Sequence, residues 1–202
     1  MAILARAVRM KYTGDERGFY MKNCIISFSG RKDGNCSAIA RVLLDAPALR
    51  DKAVYYDFSA LRITPCGPCR CECFQARERC PYFSDPVFSI YDAAAHSGLS
   101  YFIVPNYCDY PCANFFMFNE RSQCYFQHHP ELLELYEQTP KKFIVVSNTG
   151  RDNFTAAFRY HTGDAPPDVL FLSARAFGKS SVDGNLMDVP EAREAVLRFA
   201  DR

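Results

Sequence analysis

The chain has 202 residues, longer than one typical domain but short for two, and its 49% hydrophobic content with 17 Phe and 12 Tyr excludes a disordered or fibrous protein. Lys and Arg number 24 against 23 Asp and Glu, a formal net charge of +1, so there is no electrostatic footprint for nucleic acid or for a membrane surface. The same balance opposes a small, strongly acidic electron carrier and favours an enzyme acting on diffusible substrates. Ten cysteines in a short secreted chain would form a disulfide framework. However, the stretch from Met1 to Lys22 is mixed and charged, without the apolar core of a signal peptide, and no run of eighteen apolar residues exists to span a membrane. Five of the cysteines fall between Cys66 and Cys80. That clustering suits thiols that bind something, or do redox chemistry, in a reducing compartment, and the cytoplasm is expected.

Residues 1–21 carry no clear period and are read as an N-terminal arm, or as an extension upstream of a start at Met21. Residues 22–202 are read as one domain with a Cys-rich loop at 66–80. Cys24 to Phe28 is an apolar run of strand length, closed by Ser29 and Gly30, and Ser37 to Leu44 follows with helical spacing. Val54 to Phe58 is β-branched and aromatic, a second strand. After the Cys-rich loop, Pro86 to His96 is a helix, with Asp85 as its N-cap and Gly98 as its stop. Tyr101 to Val104 is a third strand, halted by Pro105. Cys112 to Tyr125 and Pro130 to Gln138 are helices, Phe143 to Val146 a fourth strand, Phe154 to Tyr160 a helix, Val169 to Leu172 a fifth strand, and Glu191 to Asp201 the closing helix. Short, fully apolar runs alternating with helices mark a parallel sheet covered on both faces. The expected fold is therefore α/β, a doubly wound three-layer α/β/α sandwich with a five-stranded parallel sheet. In such sheets a ligand sits beyond the carboxyl ends of the strands, at the switch point.

The loops at those ends are unusual. After the first strand comes Ser29-Gly30-Arg31-Lys32-Asp33-Gly34-Asn35-Cys36-Ser37. It has no Gly-Lys-Ser/Thr triplet and lacks the glycine spacing of a dinucleotide fingerprint. Its hydroxyl, amide and guanidinium groups can wrap a phosphate against a helix N-terminus, and a polar turn capped by Asn35 is the plain alternative. After the third strand stand Pro105-Asn106-Tyr107-Cys108, then Pro111-Cys112-Ala113-Asn114-Phe115 and Phe118-Asn119-Glu120-Arg121. After the fourth comes Ser147-Asn148-Thr149-Gly150.

Ser-x-Arg-x-x-Gly-Asn-x-Ser after the first strand, followed by Pro-x-Tyr after the third, resembles the NADPH-dependent FMN reductase family, a flavodoxin-like group, which implies a flavodoxin-like three-layer α/β/α sandwich with strand order 2-1-3-4-5. That resemblance implies that Ser29, Arg31, Asn35, Cys36 and Ser37 hold the FMN phosphate, and that Pro105, Asn106, Tyr107 and Cys108 lie along the flavin ring. It places Asn148 and Gly150 at the pyrimidine end. Where the family usually has Pro and Thr, this chain has Gly30 and Cys36; a thiol donates hydrogen bonds poorly, so Cys36 would contribute its backbone N–H. The implied activity is hydride transfer from NAD(P)H to the flavin, and onward transfer to a flavin, quinone or similar small-molecule acceptor. No side chain is required as acid or base, and a homodimer or higher homo-oligomer is implied, with the aromatic stretch from Phe115 to Phe126 as a contact.

The Cys66, Cys69, Cys71, Cys73 and Cys80 run leaves three readings open: a [4Fe–4S] cluster, zinc, or a thiol-rich loop without metal. A subset of the same family, the iron–sulfur flavoproteins, carries a compact cysteine run in this loop. By that resemblance Cys66, Cys69, Cys73 and Cys80 would be the ligands, Cys71 is left over, and the alternative function is an electron-transfer module using FMN plus a [4Fe–4S] cluster. The spacing after Cys69 departs from that pattern. His128-His129-Pro130 reads as a solvated cap rather than a metal site.

Overall fold

The computed structural model describes residues 22–67, 69–149 and 151–202; the expected arm at 1–21 lies outside them. Five strands form the parallel sheet: β1 (Asn23–Ser27), β2 (Ala53–Asp57), β3 (Ser100–Tyr107), β5 (Lys141–Val146) and β6 (Asp168–Leu172). Their order is β2-β1-β3-β5-β6, with a two-residue β4 (Tyr110–Pro111) folded back antiparallel on the end of β3. Apart from β4, this is the expected flavodoxin-like order. The helices are α1 (Asn35–Asp45), α2 (Pro86–Ala95), α3 (Ala113–Phe126), α4 (Pro130–Gln138), α5 (Arg151–Thr162) and α6 (Pro190–Asp201).

The period of two along each strand separates two cores. Cys24, Ile26, Phe28, Phe102, Val104, Phe143 and Val145 point into one layer, where Phe115 and Phe118 of α3 and Phe154 and Phe158 of α5 meet them. Ile25, Tyr101, Ile103, Ile144 and Val146 point the other way, onto Ile39 and Leu43 of α1 and Val196 and Phe199 of α6. A strand buried on both faces must be apolar throughout, which is why these runs show no polar alternation. Asp85 caps α2 by accepting from Val87 N at 3.1 Å, with Pro86 in the first turn. Among the described residues no helix is long and apolar enough to cross a membrane.

Three local expectations need correction. Pro105 does not end β3, because it pairs with Val146 in the parallel register. Leu99 and Ile103 carbonyls bond to β1, so by alternation the missing N–H of Pro105 faces the side where β1 has already turned away. Second, α1 begins at Asn35, with Gly34 at the cap, so Asn35 is a first-turn residue rather than the cap. Third, Phe115, Phe118, Tyr125 and Phe126 are buried in the core and leave Phe116 as an exposed aromatic of that stretch. Lys141 and Lys142, at the start of β5, are both buried. Their amines reach the closing carbonyls of α4 (Tyr136 and, at 2.8 Å, Thr139) and of α6 (Phe199, 2.8 Å), where a cation meets the negative end of the helix.

Candidate functional site

The chain ends of β1, β3 and β5 open into a crevice with two adjoining clefts. The first, open to solvent, is lined by Ser29, Arg31 and Cys36 of the β1–α1 loop, Pro105 and Tyr107 of β3, and Val182 from the segment before α6. The second, also open to solvent, is lined by Cys108, Asp109, Ser147, Asn148 and Thr149. Asn106, Val146 and Ser181 border both. The crevice lies between β1 and β3, where the connections from β1 to its two neighbours diverge, the switch point at which doubly wound sheets hold ligands.

The β1–α1 loop is internally braced. Ser29 Oγ accepts from Arg31 N at 3.1 Å, and Ser37 Oγ donates to Arg31 O at 3.4 Å. Gly34 at the cap lets α1 start with Asn35, Cys36 and Ser37 all buried. First-turn N–H groups of a helix have no intrahelical partner and carry the positive end of the dipole, so an anion is favoured there. Burial pushes the Cys36 thiol well above its ordinary value, and the neighbouring Cys112 and Asp57 push it the same way; the side chain stays neutral.

The β3 end is a tight hairpin. Cys108 and Asp109 both adopt positive φ (53° and 65°), the left-handed pair that a two-residue turn between Tyr107 and Tyr110 requires. Asn106 stabilises it: its Oδ1 accepts from Asp109 N at 2.8 Å, while its Nδ2 donates to Ser147 Oγ at 2.5 Å and Thr149 O at 3.1 Å. Thr149 Oγ1 in turn donates to Asp109 Oδ1. Tyr107 remains 45% exposed at the mouth, available as a flat apolar wall. The α3 entry is tied to the same place, since Asn114 Nδ2 and Cys112 Sγ both donate to Phe28 O at the end of β1.

The fold brings Ser29, Arg31, Asn35, Cys36, Pro105, Asn106 and Tyr107 to the first cleft, and Cys108 and Asn148 to the second. Ser37 stands behind the loop, bonded to it. Gly150 lies outside the described residues. The asparagine side chains already have partners within the protein. Asn148 Oδ1 accepts from Ser173 Oγ and Arg175 N, and Asn35 bonds to Ser181 and Leu186. Ser181 and Val182 carry no sequence motif and were missed; the polar Lys179-Ser180-Ser181 stretch was the one available signal.

The Cys-rich loop lies elsewhere, over α2 and α3. Arg121, with its side chain fully buried, gathers it by donating to Thr64 O (2.6 Å), Tyr82 O (3.0 Å) and Asp85 Oδ2 (2.5 Å). Among the described residues no three His, Cys, Asp or Glu side chains are arranged to hold one metal ion. Cys66 is exposed and Cys69 half-buried, whereas Cys73 and Cys80 are buried. Cys124 of α3, outside that set, has its thiol beside those of Cys66 and Cys73; burial and these neighbours push it far up.

No protein-family model matches the chain, and no curated protein matches it in sequence. Solved structures share the fold. The Trp repressor binding protein from Bacillus subtilis aligns with a TM-score of 0.59 at 14% identity, over 90% of this chain and 98% of that one. A candidate quinone reductase from Klebsiella pneumoniae gives 0.61 at 11% identity, over 90% and 84%. The flavoenzyme NAD(P)H:(acceptor) oxidoreductase FerB from Paracoccus denitrificans gives 0.51 at 14% identity, over 90% and 96%. At these identities the likeness is one of fold, and the fold is flavodoxin-like.

Proposed function

On a flavodoxin-like fold whose switch-point crevice is built from three loops, we propose an FMN-dependent oxidoreductase that takes a hydride from NAD(P)H and passes electrons to a small-molecule acceptor such as a flavin or quinone. The observation that carries this reading is the make-up of the crevice. An anion-binding end, formed by Arg31 and the N-terminus of α1, continues into a wall formed by Pro105, Asn106 and the exposed Tyr107 ring. A phosphorylated ligand with a flat ring suits both halves. The names of two structures that share the fold, a flavoenzyme acting on NAD(P)H and a candidate quinone reductase, point the same way.

The residues fit the group in kind. Arg31 supplies a permanent positive charge, the first turn of α1 supplies backbone N–H donors, and Ser29 supplies a hydroxyl. The β3 hairpin and the Ser147–Thr149 turn present backbone groups braced by Asn106, so ordering them is complete before a ligand arrives. Bound FMN would supply hydride acceptance and electron release. The chain binds, orients and shields it, and needs no side chain as a proton donor. A cytoplasmic setting and a homodimer or higher homo-oligomer belong to the same reading.

The test is a titration of the apoprotein with FMN and with riboflavin, followed by anaerobic addition of NADH or NADPH. Tight FMN binding with loss of the oxidised-flavin absorption is expected. A protein that binds neither flavin overturns the reading, and one that binds riboflavin as well as FMN overturns the assignment of the anion end.

A further inference from the structure

The segment between β6 and α6, residues 173–189, crosses the open end of the sheet and is fastened at both ends by side-chain amides. At its start, Asn148 Oδ1 accepts from Ser173 Oγ at 2.9 Å and from Arg175 N at 3.2 Å. Farther on, Asn35 Nδ2 donates to Ser181 O at 3.1 Å, and Asn35 Oδ1 accepts from Leu186 N at 3.0 Å. Asn35 is 4% exposed and its bond from Leu186 N is buried, so losing that acceptor would strand a buried polar group. Between them, Gly184 takes φ +71°, and a Cβ there would stand 2.4 Å from Asp33 O. Its backbone therefore lies directly on the β1–α1 loop, at a distance only glycine allows. The residues so held, Ser181 and Val182, line the anion end of the crevice, and Ser181 borders both clefts. Val182 is 56% exposed, an apolar side chain left at the mouth.

We propose that residues 179–186 form a strap that closes the outer side of the phosphate end, and that Asn35 and Gly184 are its latch. Asn35 is then a positioning residue: it acts on the phosphorylated ligand through Ser181, not by contact with the phosphate. The ligand class is a phosphomonoester on a flat aromatic body, and the inference rests on the FMN reading of the same crevice. A ligand seated behind Ser181 leaves only when the strap lifts off the β1–α1 loop. Dissociation of the phosphorylated form is therefore governed by the latch, while a form lacking the phosphate is not held by it.

The test compares wild type, Gly184→Ala and Asn35→Ala. Gly184 lines neither cleft, so its variant touches only the docking of the strap. FMN and riboflavin release are followed by flavin fluorescence, and amide hydrogen exchange is followed over residues 179–186. Both variants should release FMN at least tenfold faster, change riboflavin release less than twofold, and lose the protection that FMN confers on the strap amides. FMN release at the wild-type rate in both variants overturns the latch, as does equal acceleration for FMN and riboflavin, which would mean a general structural defect. Wild type that binds no FMN, yet gains strap protection from millimolar inorganic phosphate, keeps the strap and overturns the FMN reading. Protection by neither ligand overturns the strap.

Discussion

Tyr136 donates its hydroxyl to His161 Nδ1 at 2.6 Å, and His161 Nε2 meets Asn119 Oδ1 at 2.8 Å, with the imidazole wholly buried against Phe102 and Phe115. A carboxamide oxygen only accepts, so Nε2 carries the proton and Nδ1 is the acceptor: the network holds one neutral tautomer. Burial first, and the charge of Lys141 second, lower the pKa from 6.5 to about 3. Between those values the unfolded chain binds a proton that the folded chain refuses. The contribution to stability is complete above 6.5 and is lost as pH falls toward 3. Urea midpoints should decline from pH 7 to pH 4, and His161→Gln should flatten that decline. An unaltered slope in the variant would assign acid sensitivity to other groups.

Arg121 ties both ends of the Cys-rich loop to α3. Arg121→Met leaves the Asp85 carboxylate, only 13% exposed, without its partner and frees two loop carbonyls. A broken buried pair costs about 3–5 kcal/mol. Equilibrium unfolding should show a loss of that order, and Cys73, Cys80 and Cys124 should become reactive toward a thiol reagent in the folded protein. A loss below about 1 kcal/mol, the ordinary worth of an exposed pair, with thiols still protected, would show that packing alone holds the loop.

Arg31 lines the first cleft, at the end that the proposed function gives to the phosphate. A hydrogen bond to a charged group contributes about 1.5–3 kcal/mol, so Arg31→Ala should weaken FMN binding roughly tenfold to hundredfold. Riboflavin binding should be unchanged, and the salt dependence of FMN binding should diminish. Paired titrations at two ionic strengths decide it.

Asn106 joins the β3 hairpin to the turn after β5 through two hydrogen bonds and braces the hairpin itself through a third. Asn106→Ala should lower thermal stability by only about 1–3 kcal/mol, since the residue is near the surface. Flavin affinity should fall about tenfold or more, because two walls of the crevice then move independently. Hydrogen exchange at Asp109 N, whose acceptor is removed, should quicken; unchanged exchange there would contradict the bracing role.

Strands and helices were legible because their causes are local. Cys24 to Phe28 and Phe143 to Val146 announce buried strands by continuous apolar content, and Asp85-Pro86 announces a helix start. Pro105 misled because its tolerance depends on β1 having ended beside it, a fact of strand register. The burial of Lys141 and Lys142 was not legible, because the carbonyls that receive their amines belong to α4 and α6. For the crevice, the sequence alone identified the three loops, since strand-end position and residue type suffice for that. It could not assign the roles of the asparagines. Asn35 finds its partners 146 and 151 residues away, and Asn148 finds its own 25 and 27 away. An amide is equally able to hold a phosphate or another loop. Only the folded chain, by bringing residues 173–189 across the sheet, decided which, because the carbonyls and N–H groups of that segment must be bonded wherever water is excluded.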